Sequence, residues 1–300
     1  MAAIFFYLII KPLSILPLRV LHAISDFLCF FIDRVFGYRQ KVIMQNLSNS
    51  FPELSKAEIN KIRHKFYHHL TDLIVESIKL FSISEEEVLD RFKVVNPEIL
   101  APYVETHRNL IMVGGHYSNW EMLAVGGDQY LKHQTVAIYH SLANKFMDAK
   151  MLASRTKFGM KLISRGEVKT FFSKKEALTI TIFGVDQSPS NAKKVYWMEF
   201  LNQRTAVMFG AEKFAKEHDS PLIYGSIHRK KRGFYEMTLE VLIDEPLECA
   251  YGEITEAHTK RLEKQILEAP QYWLWTHKRW KTGGNIKKLE QEFLANNETN

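Results

Sequence analysis

The chain has 300 residues, 46% hydrophobic and 25% charged, with 14 glycines and 9 prolines. That is enough for one or two domains with a sizeable core, and it excludes a disordered tail, a collagen-like repeat and a mucin-like stalk. Two cysteines, Cys29 and Cys249, cannot build a disulfide framework or a zinc ribbon, and a net charge of +6 suits anionic membranes, phosphorylated substrates or acidic proteins better than nucleic acid.

Residues 1–32 carry only three charges, Lys11, Arg19 and Asp26. As one helix they would extend about 48 Å, beyond the ~30 Å hydrocarbon core. No uncharged run reaches ~18 residues, however, and Pro12 and Pro17 interrupt the stretch. A secretory signal is not indicated, since Lys11 follows the first apolar run and no A-x-A site appears. Two readings remain: a kinked or in-plane membrane anchor over residues 1–34, and an apolar helix docked on the protein's own core. Arg34, Arg39 and Lys41 follow directly, so an anchor would leave the rest of the chain in the cytoplasm.

Ser55 and Glu58 spell the S-x-x-E capping box. After them Ile59, Ile62, Phe66, Leu70 and Leu73 recur at spacings of three and four, which predicts an amphipathic helix. Ser84 and Glu87 repeat the signal before Val88 and Leu89. His64, His68 and His69 lack an H-E-x-x-H context, so they read as part of a surface or partly buried helix and not as a metal site. From about residue 107 the pattern alternates. Strands are expected at Leu110–Val113, Thr135–Tyr139, Leu178–Phe183, Pro221–Ile227 and Phe234–Ile243, with helices near 119–131, 142–157 and 205–217. This predicts an α/β fold with a mainly parallel central sheet flanked by helices. The expected organisation is a helical region 35–106, a catalytic core 107–284 and a polar tail 285–300.

The stretch Asn109–Glu121 leaves an apolar strand through Gly114-Gly115 and enters a polar-aromatic helix start. Ligands of open α/β sheets bind at such carboxyl ends of strands. His116 stands there as a candidate general base, with an ordinary pKa near 6.5. Glu121 lies five positions on, about 140° around one ideal helix, so the two meet only if His116 sits in the turn. Glu121 would then accept the imidazole N–H, fix its tautomer and stabilise the imidazolium. The alternative is local: Ser118-Asn119-Trp120-Glu121 is itself S-x-x-E, and Glu121 would close a capping box. No G-x-S-x-G elbow supplies a nucleophile, and no G-x-x-x-x-G-K-[ST] loop holds a nucleotide phosphate. A transferase built this way attacks directly with its acceptor.

The segment Gly114-Gly115-His116-Tyr117-Ser118-Asn119-Trp120-Glu121 resembles the H-x4-D/E motif of the lipid A biosynthesis acyltransferases, the lauroyl and myristoyl transferases of Gram-negative bacteria. Other blocks fit in the same order: Arg39 to Leu47 followed by Phe51-Pro52, then Arg165, Val185-Asp186-Gln187, Phe200-Leu201-Asn202, Phe209-Gly210 and the closing block Pro270–Lys281. The similarity spans nearly the whole chain and departs at Ser118, where the family often has glycine. The resemblance implies a glycerolipid acyltransferase-like fold. It implies acyl transfer from an acyl carrier protein thioester to a hydroxyl of a Kdo-bearing lipid A precursor, at the cytoplasmic face of the inner membrane. Neither a metal nor another cofactor is required, and no nucleic acid partner is expected. His116 is then the base and Glu121 its partner; Arg165 and backbone N–H groups near Asn119 are candidate oxyanion donors. Asp186 and Gln187 would orient the acceptor or hold Arg165 in place. Related enzymes acylate phosphatidylinositol mannosides and other membrane lipids, which leaves those acceptors, and an inactive lipid-binding protein, as alternatives. Two basic clusters, a hairpin loop at His228–Arg232 and Lys278, Arg279 and Lys281 among the closing tryptophans, suit a membrane interface, phosphorylated headgroups or an acidic carrier protein.

Overall fold

The apolar runs after residue 90 pair into a seven-stranded sheet in the computed structural model, which describes residues 1–174, 178–189 and 195–280. The strands are β1 (Phe92–Val94), β2 (Leu110–Gly114), β3 (Gln134–Tyr139), β4 (Lys161–Ser164), β5 (Thr179–Gly184), β6 (Val195–Phe200), β7 (Gln203–Met208), β8 (Leu222–Lys231) and β9 (Phe234–Ile243). Sheet order is β1-β9-β8-β2-β5-β3-β4, with β6 and β7 forming a separate antiparallel pair. Every neighbouring pair of the large sheet is parallel except β8–β9, so the expected mainly parallel sheet is present in mixed form. Strand β2 is central and buried from Leu110 to Val113, which is why its sequence is a continuous apolar run and does not alternate.

Four strands were not expected. β1 falls inside the stretch read as helical and pairs with β9, tying the leading helices to the sheet. β4 is short and only half-buried, and it escapes a pattern based on apolar runs. The helix expected over 205–217 spans only Gly210–His218, because Gln203–Met208 is hairpin strand β7, paired with β6. Helices Trp120–Gly126 and Lys145–Thr156 occupy the other two expected positions. The polar tail 285–300 lies outside the described residues.

Helix Lys56–Lys79 begins at the capping box, with Ser55 accepting from the Glu58 N–H at 3.3 Å and Glu58 accepting from the Ser55 N–H at 2.8 Å. Besides Phe66, Tyr67, Leu70 and Leu73 it buries His69, Asp72 and Glu76. At spacings of three and four these polar residues share one side of the helix. Against that side lies the amino-terminal segment, two helical stretches, Ala2–Ile15 and Leu18–Val35, bent by 119°. Leu18 and Leu21 pack on Val75, and the Ser25 hydroxyl donates to Asp72 at 2.7 Å. Its other side exposes Ile4, Phe5, Leu8, Ile9, Phe27 and Phe30. The segment is thus both docked and apolar outward. Among the described residues no single helix is long and apolar enough to cross a membrane.

The arginines of both basic clusters turn inward, while Lys230, Lys231 and Lys278 stay exposed. The β8–β9 turn is only Arg232-Gly233, and Arg229 and Arg232 are drawn onto buried Asp72, with Arg232 also bonding Asp26. A carboxylate removed from water needs such compensation, so these arginines are not free for headgroups. In the closing block Trp273, Trp275 and Arg279 are buried, and Asn46 donates to the carbonyls of Trp275 and His277 at 2.9 Å. That block is core and not an interfacial belt; Lys281 lies outside the described residues.

Leu21→Ala should destabilise the protein by about 2–5 kcal/mol, the usual cost of emptying a packed site. Phe27→Ala on the exposed side should change stability by no more than about 0.5 kcal/mol. Thermal unfolding in detergent compares the two.

Candidate active site

Gly114 and Gly184 are register partners across the parallel strands β2 and β5. Two residues past each stands one member of an acid–base pair, His116 and Asp186. Asp186 accepts from the His116 Nδ1–H at 2.7 Å, from the His116 backbone N–H at 2.7 Å and from the Trp273 indole N–H at 2.9 Å. Glycine is needed at 115 for this approach, because a Cβ there would fall 2.7 Å from Leu262 Cδ1 and 3.2 Å from Asp186 Oδ2.

Electrostatics follow from the packing. Burial works against the charge on Asp186, yet the imidazole charge and the bonds from His116 and Trp273 outweigh it and bring its pKa down to about 2. Burial also disfavours charge on His116, but the charge and hydrogen bond of Asp186 prevail, with a smaller contribution from Glu121, and its pKa rises above the ordinary value. With Nδ1 donating to Asp186, the lone pair sits on Nε2. The Gln187 amide nitrogen lies 3.3 Å from Nε2, and the Trp120 ring meets the imidazole edge-on with centroids 5.0 Å apart.

The expected bond between His116 and Glu121 is not made. Glu121 is bound in bidentate fashion by Arg155, with Nε to Oε2 at 2.9 Å and Nη2 to Oε1 at 2.6 Å. The helix carrying Glu121 turns the carboxylate towards helix Lys145–Thr156, while the register of β5 delivers Asp186 to the imidazole. Nor does Glu121 close a capping box on Ser118. Asn119 is the N-cap, accepting from the Met122 N–H at 3.2 Å. Ser118 has a left-handed backbone with φ of 56° and a buried hydroxyl with no partner among the described residues.

The remaining expected residues divide. Gln187 is at the imidazole. Asp186 holds His116 and not Arg165, which is exposed and lines the cavity with no ion-pair partner among the described residues. Asn119 is buried, its amide donating to Glu76 at 2.7 Å, so its side chain supports the turn and does not face the cavity. Arg155 was not anticipated: it belongs to no motif, and only the packing of the helix after β3 beside the helix after β2 brings it to Glu121.

A cavity of about 670 Å³ opens at this point, within the roughly 300–1,000 Å³ usual for small-molecule sites. Met112, Ile182, Ala137 and Leu162 are cross-strand partners of four adjacent strands and form an apolar floor. His140, Arg155, Arg165 and Lys169 add basic or polar groups to its walls. Such a site can take a proton from a substrate hydroxyl while an apolar chain is held alongside.

The sequence pattern of the family described as bacterial lipid A biosynthesis acyltransferase matches residues 1–282. Over 271 residues the chain is 22% identical to a lipid A biosynthesis lauroyltransferase of Escherichia coli K12, covering 89% of this chain and 87% of that protein. Over 250 residues it is 22% identical to a lipid A biosynthesis palmitoleoyltransferase of the same organism and to a lipid A biosynthesis acyltransferase of Shigella flexneri, covering 81% of this chain and 79% of each.

Two outcomes follow from the geometry. Ser118→Gly relieves a left-handed conformation that costs an L-residue roughly 1–2 kcal/mol, offset by about 0.4–1 kcal/mol of added unfolded-chain entropy; thermal denaturation should show a slightly higher midpoint. Asp186→Asn removes the charge that holds the His116 pKa up and leaves the burial that pushes it down. Imidazole titration followed by NMR should therefore place His116 below its ordinary value.

Proposed function

We propose that this chain, which belongs to the bacterial lipid A biosynthesis acyltransferase family and is an acyltransferase of lipid A biosynthesis, takes its acyl group from an acyl carrier protein thioester and gives it to a hydroxyl of a Kdo-bearing lipid A precursor. The observation that carries this reading is the Asp186–His116 pair at the edge of an apolar cavity.

The acceptor hydroxyl has a pKa far above neutrality, so its proton leaves as the new bond forms. His116 Nε2 takes that proton while the hydroxyl oxygen attacks the thioester carbonyl. Asp186 keeps the proton on Nδ1 beforehand and stabilises the imidazolium afterwards. The tetrahedral intermediate collapses by breaking its carbon–sulfur bond, and the departing thiolate receives the proton from His116. No covalent enzyme intermediate forms. Gln187, beside Nε2, marks where the acceptor hydroxyl sits.

Arg155 is the oxyanion donor in this scheme. Glu121 engages its Nε and Nη2, which orients the guanidinium and leaves the Nη1 donors for the substrate. Glu121 thus serves His116 through its charge and through Arg155. The acyl chain occupies the apolar floor, while Arg165 and Lys169 meet phosphates or the acidic carrier. The outward apolar residues of the amino-terminal segment rest in the cytoplasmic face of the inner membrane as an in-plane anchor.

Purified full-length protein in micelles, given a panel of acyl carrier protein thioesters and lipid acceptors, should yield acylated acceptor by mass spectrometry. His116→Ala should lose about 10²–10⁴ in rate, and Arg155→Lys at least about tenfold. Arg165→Lys should weaken substrate binding with little effect on turnover. Rate should fall as pH drops through the raised His116 pKa, because the base is then protonated. Thioester consumption that ignores the acceptor would make the protein a hydrolase and end this reading.

A further inference from the structure

Glu76 is buried near the end of helix Lys56–Lys79, and its two oxygens face opposite parts of the molecule. Oε1 accepts from the His22 Nε2–H at 2.9 Å, on the amino-terminal helix Leu18–Phe30. Oε2 accepts from the Asn119 amide at 2.7 Å and from the Tyr235 hydroxyl at 2.6 Å. Asn119 is fully buried and is the N-cap of the helix that carries Glu121, three residues past His116. The same face of Lys56–Lys79 holds the turn a second time, since His69 Nε2–H donates to the Ser118 carbonyl at 3.2 Å.

The surrounding charges are already committed. Arg229 and Arg232 are bound to Asp72, one turn earlier on the helix. Among the described residues, His22 is the only group able to carry positive charge that hydrogen-bonds Glu76. The contact is also enforced from the far side. The Arg232 guanidinium donates to the His22 carbonyl at 3.1 Å, and Gly233 sits so close that a Cβ would lie 2.8 Å from Leu18 Cδ2.

We infer that helix Leu18–Phe30 is a positioning element of the active site, acting through His22, Glu76 and the Asn119 cap. This rests on the acyltransferase reading and adds to it a role for the amino-terminal segment that needs no membrane. An N-cap side chain fixes where the first helical turn begins. Here that turn carries Glu121, and Glu121 aims Arg155. Loss of the His22 bond lets the Glu76 carboxylate follow its remaining partners, and the cap moves with it. A displacement of about 1 Å at reacting groups costs on the order of 10²-fold in rate, so a partial one should register in kcat.

The test uses the full chain in detergent micelles, with acyl transfer read by mass spectrometry. His22→Ala should lower kcat about tenfold, with acceptor and thioester KM within about twofold. Asn119→Asp keeps a good N-cap but sets two carboxylates against each other, and should lose at least as much. Combining it with Glu76→Gln restores a donor–acceptor pair of reversed polarity, and most of the kcat lost in Asn119→Asp should return. Ser25→Ala loosens the same helix through Asp72 without touching Glu76; it should lower the thermal midpoint and reduce kcat less than His22→Ala does. Wild-type kcat in His22→Ala, or a change in KM only, would overturn the inference while the acyltransferase reading stands. So would a double variant no better than Asn119→Asp, which decides the matter even if His22→Ala fails to fold. Absence of transfer by the unmodified chain would instead strike the acyltransferase reading itself.

Discussion

A carboxylate buried away from water must be met by donors, and Asp186 is met by parts of the chain that lie far apart in sequence. Its imidazole and backbone N–H partners come from the turn after β2, its indole partner from residue 273, and its own position from the end of β5. Each partner has its own support. Trp273 belongs to the closing block, which is tied to the first long helices by Asn46 at the Trp275 and His277 carbonyls and by Arg39 at the Thr276 carbonyl. The Ser188 N–H donates to His277 Nε2 at 3.0 Å, returning the segment after Asp186 to the same block. Residues 39–46 and 273–277, distant in sequence, are therefore part of the apparatus that orders one carboxylate.

That dependence explains what could be read in advance. Strands β2, β3, β5 and β9 were legible because their apolar residues are contiguous or alternate, and β2 is buried on both faces. His116 was legible because two glycines at a strand's end announce a tight turn. Its partner was not. Glu121 stands closer in sequence and has the right chemistry, whereas the link to Asp186 depends on Gly114 facing Gly184, a register that no local pattern encodes. Arg155 was invisible for a similar reason: a lone arginine at the end of an amphipathic helix looks like solvated charge until the neighbouring helix supplies a carboxylate. The hairpin arginines misled in the opposite direction, since a run of exposed-looking base conceals two residues spent on Asp72.

Three buried polar groups, His69, Asp72 and Glu76, share one face of helix Lys56–Lys79. His69, Asp72 and Glu76 would each be costly if buried alone. Placed together, they bond to the turn after β2, to Ser25 and His22 of the amino-terminal helix, and to Arg229, Arg232 and Tyr235 of the β8–β9 hairpin; His69 Nδ1 alone finds no partner among the described residues. His69 stays neutral, burial having lowered its pKa to about 4, so it acts as a fixed donor and not as a charge. Bonds of this kind have directions that apolar packing lacks. The face therefore specifies how the amino-terminal segment, the hairpin and the turn after β2 are oriented, while Leu21 and its neighbours supply the cohesion.

The cavity extends the same separation of tasks to the substrates. Its floor is built by residues of parallel strands whose positions are set by the sheet, so the space for an apolar chain is rigid and ends where the imidazole begins. The charged groups around it come from helices and loops instead. One of them, Arg155, is in the last turn of a helix whose first turns meet the amino-terminal segment. There the Phe6 and Phe146 rings pack edge to face, and Lys150 lies 5.3–5.4 Å from the rings of Phe6, Tyr7 and Phe146. The start of the amino-terminal segment and the guanidinium proposed to steady the oxyanion thus meet opposite ends of helix Lys145–Thr156.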